Sequence, residues 1–431
     1  MTTAPAPDNA ATKNTIVKSS VTATCRVLRS VLLASLAEAK GYVASKHSTL
    51  SSVSLTFRDA GVLKLIATDI TRWYMDELTV DDMIVSDATD GGAVTVACDA
   101  KRLHDVVKAM DSEERVLTLK GTLTKKVSPA FGSTGPRIEH ESLVQVISST
   151  GEYNIKGGDS TLFPLTPSLP TQWTAYDASA LRSALDVAQP FVSKDLTRVH
   201  LCAALVEITP NKISVISTDG NRLAKIVRPA THVVVAPTKF LVHLNAIGDL
   251  LDRCKVITKA CKQYASIEMG LQGNNIFWKG EGARRYAVQH EVGADRYPPY
   301  GQVIPRSFDR GVTVERAPFI TAMKRLKLVA SQGTYGCAFR LPASATVPPH
   351  IFLVETDDGE GQAAKEKVAF KPDAFDGKSL TIGVSLKYLI EALDSFTNKT
   401  VWLGFNGDLD PIGVRERSTD ADIIVLMPMR V

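Results

Sequence analysis

The chain has 431 residues, of which 44% are hydrophobic and 22% are charged, and this is ordinary globular usage. The composition argues against a largely disordered chain, a collagen-like chain and a coiled coil. Fifty Lys and Arg residues against 46 Asp and Glu residues give a net charge of +4, which argues against a globally basic nucleic-acid-binding protein. A locally basic surface stays possible, because net charge says nothing about distribution.

Residues 1–18 are predicted to form a disordered tail. Met1 to Asn14 is rich in Ala, Thr and Pro and has no basic segment ahead of an apolar run, so it does not read as a signal peptide. The apolar run at 31–34 is too short to span a membrane. The six cysteines form no Cys-x-x-Cys pair and are interpreted as reduced core thiols. These features predict a cytoplasmic protein.

An apolar strand that ends in Thr-Asp occurs three times, at 63–69, 213–219 and 351–357. The spacing between the closing Asp residues is 150 and then 138 residues, about one domain each. Such a repeat indicates three copies of one supersecondary unit.

Each copy is flanked by two predicted helices. Helices are predicted before the Thr-Asp strand at 23–42, 178–192 and 317–331, and after it at 100–110, 239–251 and 386–396. Asp99, Thr238 and Ser385 are the predicted N-caps of the second set. With the alternating strands between them, each third is predicted to be an α+β domain with two helices against antiparallel sheet.

The predicted domains are 19–168, 169–305 and 306–431. Proline-rich stretches at 163–170 and 297–305 mark the boundaries. Residues 125–151 combine Gly, Ser and Pro with mixed charges, so they are predicted to be a mobile loop insertion in the first domain.

Motifs that carry catalysis are missing from the sequence. It has no Gly-x-x-x-x-Gly-Lys-Ser/Thr phosphate loop, no His-Glu-x-x-His and no Gly-x-Ser-x-Gly. The three Asp residues of the Thr-Asp pairs are interpreted as closing strand-to-turn junctions. The prediction is therefore a protein that is not an enzyme, with no catalytic residues, metal or cofactor. A metal-dependent nucleic-acid enzyme that uses the Asp-bearing loops remains an alternative.

Several short motifs together resemble one family. Thr218-Asp219-Gly220-Asn221-Arg222-Leu223-Ala224 resembles the Thr-Asp-Gly-His-Arg-Leu-Ala signature of the bacterial DNA polymerase III beta subunit, the DNA sliding clamp. The segment 297–305 is similar to that family's Phe-Pro-Asp-Tyr…Val-Leu/Ile-Pro, and 427–431 to its terminal Met-Pro-Met-Arg-Leu. Ala67-Thr68-Asp69-Ile70 matches its first-domain Ala-Thr-Asp-Leu. The chain resembles a divergent and longer member over about residues 20–431.

The resemblance implies three topologically similar domains per chain and a homodimer closed head to tail into a ring. Such a ring would hold duplex DNA without reading its sequence, because base contacts would stop sliding. The implied partners are the replicative polymerase, the clamp loader and other clamp-motif proteins, in a nucleoid-associated setting. The basic residues predicted to face DNA are Arg26, Arg29, Lys40, Lys46, Lys101, Arg182, Lys194, Arg198, Lys239, Lys324, Arg325 and Lys327.

Partners of this family dock a short peptide in a cleft between the second and third domains. Carried over by position, the cleft comprises Leu201, Thr218, Gly220, Asn221, Arg222, Leu223, Pro298, Gln302, Val303, Leu409, Pro411, Val425, Leu426, Met427, Pro428, Met429, Arg430 and Val431. Arg222 and Arg430 are expected to orient polar groups of the peptide. Asn221, Gln302 and Val431 depart from the family's usual His, basic residue and Leu. The predicted function is a DNA sliding clamp; a clamp-like decoy that binds replication partners without encircling DNA is a further alternative.

Overall fold

The computed structural model describes residues 17–44, 49–86, 92–128, 137–230, 237–261, 265–289, 293–343, 350–359, 361–374 and 377–430. The chain divides into two compact units, Met1–Leu169 with Phe277–Ala287, and Pro170–Ile276 with Val288–Val431. The division into three domains stays a prediction.

The described residues contain 26 strands. In chain order they are β1 (Val17–Leu28), β2 (Ser52–Arg58), β3 (Val62–Thr68), β4 (Arg72–Thr79), β5 (Asp81–Val85), β6 (Ala93–Asp99), β7 (Val116–Ser128), β8 (Arg137–Ile147), β9 (Glu152–Lys156), β10 (Thr174–Asp177), β11 (Ala203–Thr209), β12 (Lys212–Thr218), β13 (Arg222–Pro229), β14 (Thr238–His243), β15 (Ser266–Gln272), β16 (Asn275–Lys279), β17 (Arg285–Gln289), β18 (Arg310–Glu315), β19 (Gly336–Leu341), β20 (Ile351–Asp357), β21 (Ala363–Ala369), β22 (Lys371–Ala374), β23 (Leu380–Ser385), β24 (Thr400–Phe405), β25 (Ile412–Arg415) and β26 (Ile423–Leu426).

Six α-helices lie among the described residues, two in each predicted domain. They are α1 (Arg29–Ala39), α2 (Ala100–Ala109), α3 (Ala178–Ala188), α4 (Leu244–Ala260), α5 (Arg316–Lys327) and α6 (Leu386–Asp394). Within this described part, the helices are too short or too polar for any of them to cross a bilayer.

In the first unit, a five-stranded sheet has the order β5-β1-β7-β8-β9. The strands β6, β2, β3 and β4 are paired side by side in that order, and β17 follows β4. Helices α1 and α2 bury apolar stripes, such as Leu32 and Leu36 of α1 and Leu103 and Val107 of α2. This unit is therefore α+β with antiparallel pairing, as predicted.

The second unit contains the sheet that positions the candidate site. Nine antiparallel strands follow the order β14-β11-β12-β13-β26-β25-β24-β18-β22, and a separate four-stranded sheet follows β21-β20-β19-β23. At the centre of the larger sheet, β13 pairs with β26, with Arg222 opposite Leu426 and Leu223 opposite Val425. The end of the chain is thus joined to the strand that follows the second Thr-Asp turn.

Two predicted helices begin later than expected. Residues 23–28 belong to β1, because Ala23, Cys25 and Val27 are buried while the residues between them face outward, which is a period of two rather than 3.6. Residues 238–243 form β14, so the predicted cap at Thr238 is wrong. Helix α4 is capped instead by His243, whose ring Nδ1 accepts a hydrogen bond from the Asn245 N–H at 3.2 Å.

Of the other two predicted N-caps, Asp99 is confirmed and Ser385 is not. The Asp99 carboxylate accepts the Arg102 N–H at 2.7 Å, which confirms the cap of α2. Ser385 precedes α6 but makes no side-chain cap; its hydroxyl donates to the Thr334 carbonyl at 3.2 Å.

In the predicted loop insertion at 125–151, most of the described residues form sheet, and residues 129–136 lie outside the described residues. Residues 125–128 end β7 and 137–147 form β8, and the two strands pair from Thr118 opposite Ile147 to Ser128 opposite Arg137. Ser142, Val144 and Val146 alternate inward and are buried, so this stretch contributes to the core. Of the predicted tail, residues 17 and 18 belong to β1, and 1–16 lie outside the described residues.

Candidate peptide-binding site

The second Thr-Asp turn, residues 218–222, is closed by its own side chains. The Thr218 hydroxyl donates to the Arg222 carbonyl at 2.7 Å and accepts the Gly220 N–H at 3.1 Å. The Asp219 carboxylate accepts the N–H groups of Asn221 at 3.0 Å and Arg222 at 3.2 Å. Gly220 has φ +92°, a conformation that glycine adopts without steric cost. Asp219 therefore closes a strand-to-turn junction, as predicted.

The Arg222 side chain ties this turn to neighbouring segments of the chain. Its side chain is only 7% exposed, and Nε donates to the Asp219 carboxylate at 2.9 Å. Nη2 donates to the Pro190 carbonyl at 2.9 Å, and Nη1 donates to the Glu391 carboxylate of α6. All three guanidinium nitrogens thus have protein acceptors. Arg222 therefore holds the floor of the site together, and its expected role in orienting a bound peptide stays a prediction.

Two aromatic rings lie close to the same guanidinium. The rings of Phe191 and Tyr388 each lie 4.8 Å from the Arg222 Cζ. Tyr388 and Glu391 both belong to α6, so one helix supplies a ring and a carboxylate to one cation. Neither residue was predicted, because helix periodicity does not show which distant strand a helix face will meet.

An apolar cavity of about 240 Å³ opens beside the turn. Predicted cleft residues supply most of its lining: Leu201, Thr218, Gly220, Arg222, Leu223, Pro298, Gln302, Val303, Val425 and Met427. Leu223 and Val425 are buried, whereas Val303 and Met427 are each 38% exposed. The remaining lining residues, Pro299 and Tyr300, were missed although they belong to the quoted 297–305 motif. The structure thus places ten of the eighteen predicted cleft residues around one cavity, and their role in peptide binding stays a prediction.

Other predicted cleft residues do not line this cavity. They are Asn221, Leu409, Pro411, Leu426, Pro428, Met429 and Arg430. Two of them hold the chain end through main-chain groups, since the Met427 N–H donates to the Asn221 carbonyl at 2.9 Å and the Met429 N–H donates to the Gly383 carbonyl at 3.0 Å. Val431 lies outside the described residues. A role for these residues in partner binding stays a prediction.

Among the predicted DNA-facing residues, Arg29 has a structural role. It is the first residue of α1, and its guanidinium donates to the carbonyls of Val107 at 3.1 Å, Lys108 at 3.0 Å and Met110 at 2.9 Å. These carbonyls lie at the carboxyl end of α2, where a cation also complements the helix dipole. Arg29 therefore joins the two helices of the first unit, and its predicted contact with DNA stays a prediction.

Three further predicted cations are ion-paired. Arg26, on β1 rather than on a helix, lies 3.0 Å from Asp82. Arg198 lies 3.0 Å from Asp195, and a Cβ added to Gly220 would meet its Nη1 at 2.8 Å, so Arg198 sits beside the apolar cavity. Arg325 makes a two-pronged contact with the Glu366 carboxylate at 2.7 and 3.0 Å.

The remaining predicted cations are distributed over several elements. Lys101, Lys194 and Lys324 are exposed and Arg182 is half-buried. Lys239 is exposed but lies on β14, and the Lys40 Nζ lies 3.4 Å from the His104 Nε2. The Lys327 Nζ lies 4.9 Å from the centre of the Tyr335 ring. Lys46 lies outside the described residues.

Helix α2 exposes three basic residues, with the exposed Asp105 between Lys101 and Lys108 on the same face. Arg102 and Lys108 are exposed on it together with Lys101. Arg102 and Lys108 were not predicted, although Lys108 follows Lys101 by two helical turns in the sequence. These three side chains make no hydrogen bond or ion pair within the described part of the chain, but the exposed Asp105 carboxylate lies close enough to Lys101 to feel its charge.

Within the described ranges, no three His, Cys, Asp or Glu side chains are grouped to hold a metal ion. The Asp69 carboxylate accepts from Thr71 and Arg72 of its own turn, just as Asp219 accepts from Arg222. All six cysteines are free thiols; five are buried and Cys261 is exposed.

Comparison with known proteins gives consistent matches. A family model for the DNA polymerase III beta subunit, C-terminal domain, matches residues 301–430. The beta sliding clamp of Synechococcus elongatus is 26% identical over 391 residues, which cover 89% of this chain and 92% of that relative. The beta sliding clamp of Treponema pallidum is 24% identical, covering 89% and 93%.

Solved structures show the same fold. A DNA polymerase sliding clamp from Pseudomonas aeruginosa superposes with a TM-score of 0.72 at 18% identity, covering 95% of this chain and 100% of that one. The DNA polymerase III beta subunit from Thermotoga maritima gives a TM-score of 0.70 at 16% identity, with the same coverage. The chain therefore has the DNA clamp fold.

Proposed function

We propose that this chain, whose resemblance to the bacterial DNA polymerase III beta subunit is confirmed by those matches, is a DNA sliding clamp. It closes a ring around duplex DNA and tethers a replicative polymerase for processive synthesis. The observation that carries the proposal is the apolar cavity built on the Thr218–Arg222 turn, in a chain with the clamp fold.

The cavity suits short peptides from several partners. Its floor of buried Leu223 and Val425 is rigid, because both residues belong to the antiparallel pair β13–β26. Val303 and Met427 form an exposed apolar rim, and the unbranched Met side chain adapts to different shapes. A rigid floor with an adaptable rim allows one site to serve a polymerase, a clamp loader and other clamp-motif proteins in turn.

The charge distribution suits sliding. The chain is almost neutral overall at +4, while α2 exposes Lys101, Arg102 and Lys108. Phosphate contacts made by such residues hold DNA without reading its sequence. Retention then depends on closure of the ring rather than on tight binding. A ring of two chains requires head-to-tail contacts whose rotation closes.

Peptide binding tests the cavity directly. We expect a fluorescent peptide with a Gln-Leu-x-Leu-Phe-type motif to bind saturably, and Val303→Asp to weaken it at least tenfold, because a charge would be desolvated in an apolar cavity. The matched control is Leu162→Asp, which changes an exposed Leu of the first unit. Equal affinity of both variants would overturn the assignment of the cavity.

Ring formation needs two measurements. Sedimentation is expected to give twice the chain mass of 46.6 kDa. After loading by a bacterial clamp loader and ATP, the protein is expected to stay on closed circular DNA and to leave when the circle is cut. Normal peptide binding without retention on the circle would favour the decoy.

A further inference from the structure

A buried histidine of α2 connects that helix to the segment that follows α1. His104 is 4% exposed and belongs to the buried stripe of α2, together with Leu103 and Val107. Its Nδ1 lies 2.8 Å from the carboxylate of Asp105, the next residue of the same helix. Its Nε2 lies 3.4 Å from the Nζ of Lys40, in the 3-10 turn after α1. Both nitrogens of the buried ring therefore have a partner.

These two contacts determine where the ring carries its proton. A carboxylate only accepts hydrogen bonds, so the Nδ1 of His104 donates to Asp105. An ammonium group only donates, so the Nε2 of His104 must be the acceptor for Lys40. The ring is therefore neutral, with its hydrogen on Nδ1. The hydrogen bonds run in one direction, from Lys40 through His104 to Asp105.

Lys40 is held in place but keeps donors for a ligand. It is exposed, and within the described part of the chain its Nζ bonds to His104 and forms no ion pair. An ammonium group has three N–H donors, so two remain for solvent or an anion. A lysine side chain loses rotamer freedom when it makes a contact, and one that is already held loses less. The bond to His104 thus prepares Lys40 to contact an anionic oxygen.

The Asp105 carboxylate offsets part of the local positive charge. The hydrogen bond from His104 holds the pKa of Asp105 below its ordinary value of 3.8, so this carboxylate is ionised at neutral pH. It is exposed and lies close enough to Lys40 and Lys101 to feel both charges. The carboxylate offsets one of these two cations, so the hydrogen bonds add no net charge. What they give Lys40 is orientation.

We propose that His104 is a positioning residue for DNA binding, which fixes the Lys40 ammonium group so that it contacts a phosphate of the duplex. This inference rests on the proposed function, since it concerns how one predicted DNA-facing residue is presented. The ring acts only through Lys40, because at 4% exposure it is too enclosed to reach a phosphate itself. A phosphate contact of this kind holds DNA without reading its sequence.

The test replaces His104 by two side chains of similar volume. A Gln amide ends near the position of Nε2, and its oxygen can accept from Lys40, whereas Leu offers no acceptor. We expect His104→Leu to weaken binding to linear duplex DNA at low salt by about 2- to 10-fold, the range for one hydrogen bond. His104→Gln is expected to bind DNA like the wild type. A role in packing alone would affect both variants alike.

A double variant shows whether His104 acts through Lys40. Lys40→Ala is expected to weaken DNA binding. It should also reduce the slope of the logarithm of affinity against that of salt concentration by about 0.9, as the loss of one phosphate contact does. K40A/H104L is then expected to bind DNA no more weakly than K40A, because the residue that His104 positions is already gone. A loss caused by a damaged fold would instead add to that of K40A.

Three results would overturn the inference alone: equal DNA affinities of H104Q and H104L, an unchanged affinity in K40A, or additive losses in K40A/H104L. A wild-type protein without salt-dependent affinity for duplex DNA would overturn the proposed DNA binding and the inference together. The two kinds of failure are thus distinguishable.

Discussion

Arg72 and Arg222 occupy the same place in two copies of one turn, although they belong to different units. Each donates its Nε to the Asp three residues earlier at 2.9 Å, and each accepts a Thr hydroxyl on its carbonyl, at 2.8 and 2.7 Å. Each guanidinium also lies over an aromatic ring, at 5.3 Å for Tyr42 and 4.8 Å for Phe191. In the first two copies the sequence repeat is therefore a repeat of hydrogen bonds as well as of residues, whereas in the third copy the Thr356 hydroxyl donates to the Gly336 carbonyl.

Removing the Arg222 guanidinium should destabilise the second unit. Arg222→Ala leaves the Asp219 and Glu391 carboxylates without their cation in a partly buried setting, which is expected to cost about 3 kcal/mol of unfolding free energy. Urea unfolding measures this. The matched control is Arg198→Ala, which breaks an ion pair that is 43–44% exposed and should cost less than about 1 kcal/mol. Similar losses in both variants would refute the anchoring role.

The third residues of the two turns, Ile70 and Gly220, differ in backbone strain. Ile70 has φ +81°, where the second turn has Gly220 at φ +92°, and a β-branched residue is strained in that region. Because Ile70 is 52% exposed, Ile70→Gly gives up little burial and should raise the unfolding free energy by about 1 kcal/mol. The mirrored change Gly220→Ile should lower it. Thermal unfolding of both variants checks the pair, and a loss in Ile70→Gly would contradict it.

The Arg325–Glu366 pair should make stability depend on pH. The hydrogen bonds from Arg325 lower the pKa of Glu366 from its ordinary value of 4.5. A lowered carboxyl pKa stabilises the fold above the ordinary value, and this contribution disappears as the pH falls through the folded-state pKa. The difference in unfolding free energy between wild type and Arg325→Ala should therefore be present at pH 7 and vanish well below pH 4.5. A difference that persists in acid would exclude this origin.

The exposed cations of α2 should contribute to DNA affinity through salt-dependent contacts. In a plot of the logarithm of affinity against that of salt concentration, Ala replacement of Lys101, Arg102 or Lys108 should each reduce the slope by about 0.9. Lys212→Ala provides the control, because Lys212 is exposed on β12 and is not among the residues predicted to face DNA. Unchanged slopes in all three α2 variants would remove this helix from the DNA-facing surface.

Much of the fold followed from local pattern. Six helices, the three Thr-Asp strands and the α+β class were predicted, because periodicity and turn residues act within a few neighbours. Residues 23–28 and 137–147 were misjudged for a related reason. Their short alternation of buried and exposed residues is hard to distinguish from helix or loop when polar residues intervene.

The candidate site was predicted less completely. The cavity lining followed from motif resemblance, since Leu201, Pro298 and Val425 are far apart in sequence and no local pattern joins them. The contacts of Tyr388 and Glu391 with Arg222 depend on which face of α6 packs against β13, and the sequence alone does not determine that. The same reason explains why the contact of Arg29 with the end of α2 was not predicted.

Because the chain is synthesised from its amino end, the first unit is completed late. Its segment 277–287 is made only after residues 170–276, all of which belong to the other unit. Until then Glu38 and Asp76 lack the Arg284 guanidinium, which lies 2.9 and 3.3 Å from them in the finished fold, and Tyr74 lacks the neighbouring Tyr286 ring. At ordinary translation speeds the wait is roughly 5 to 20 s. On the ribosome, the amino-terminal unit therefore remains incomplete while residues 170–276 are synthesised. Its fold is completed only when the segment 277–287 has been made.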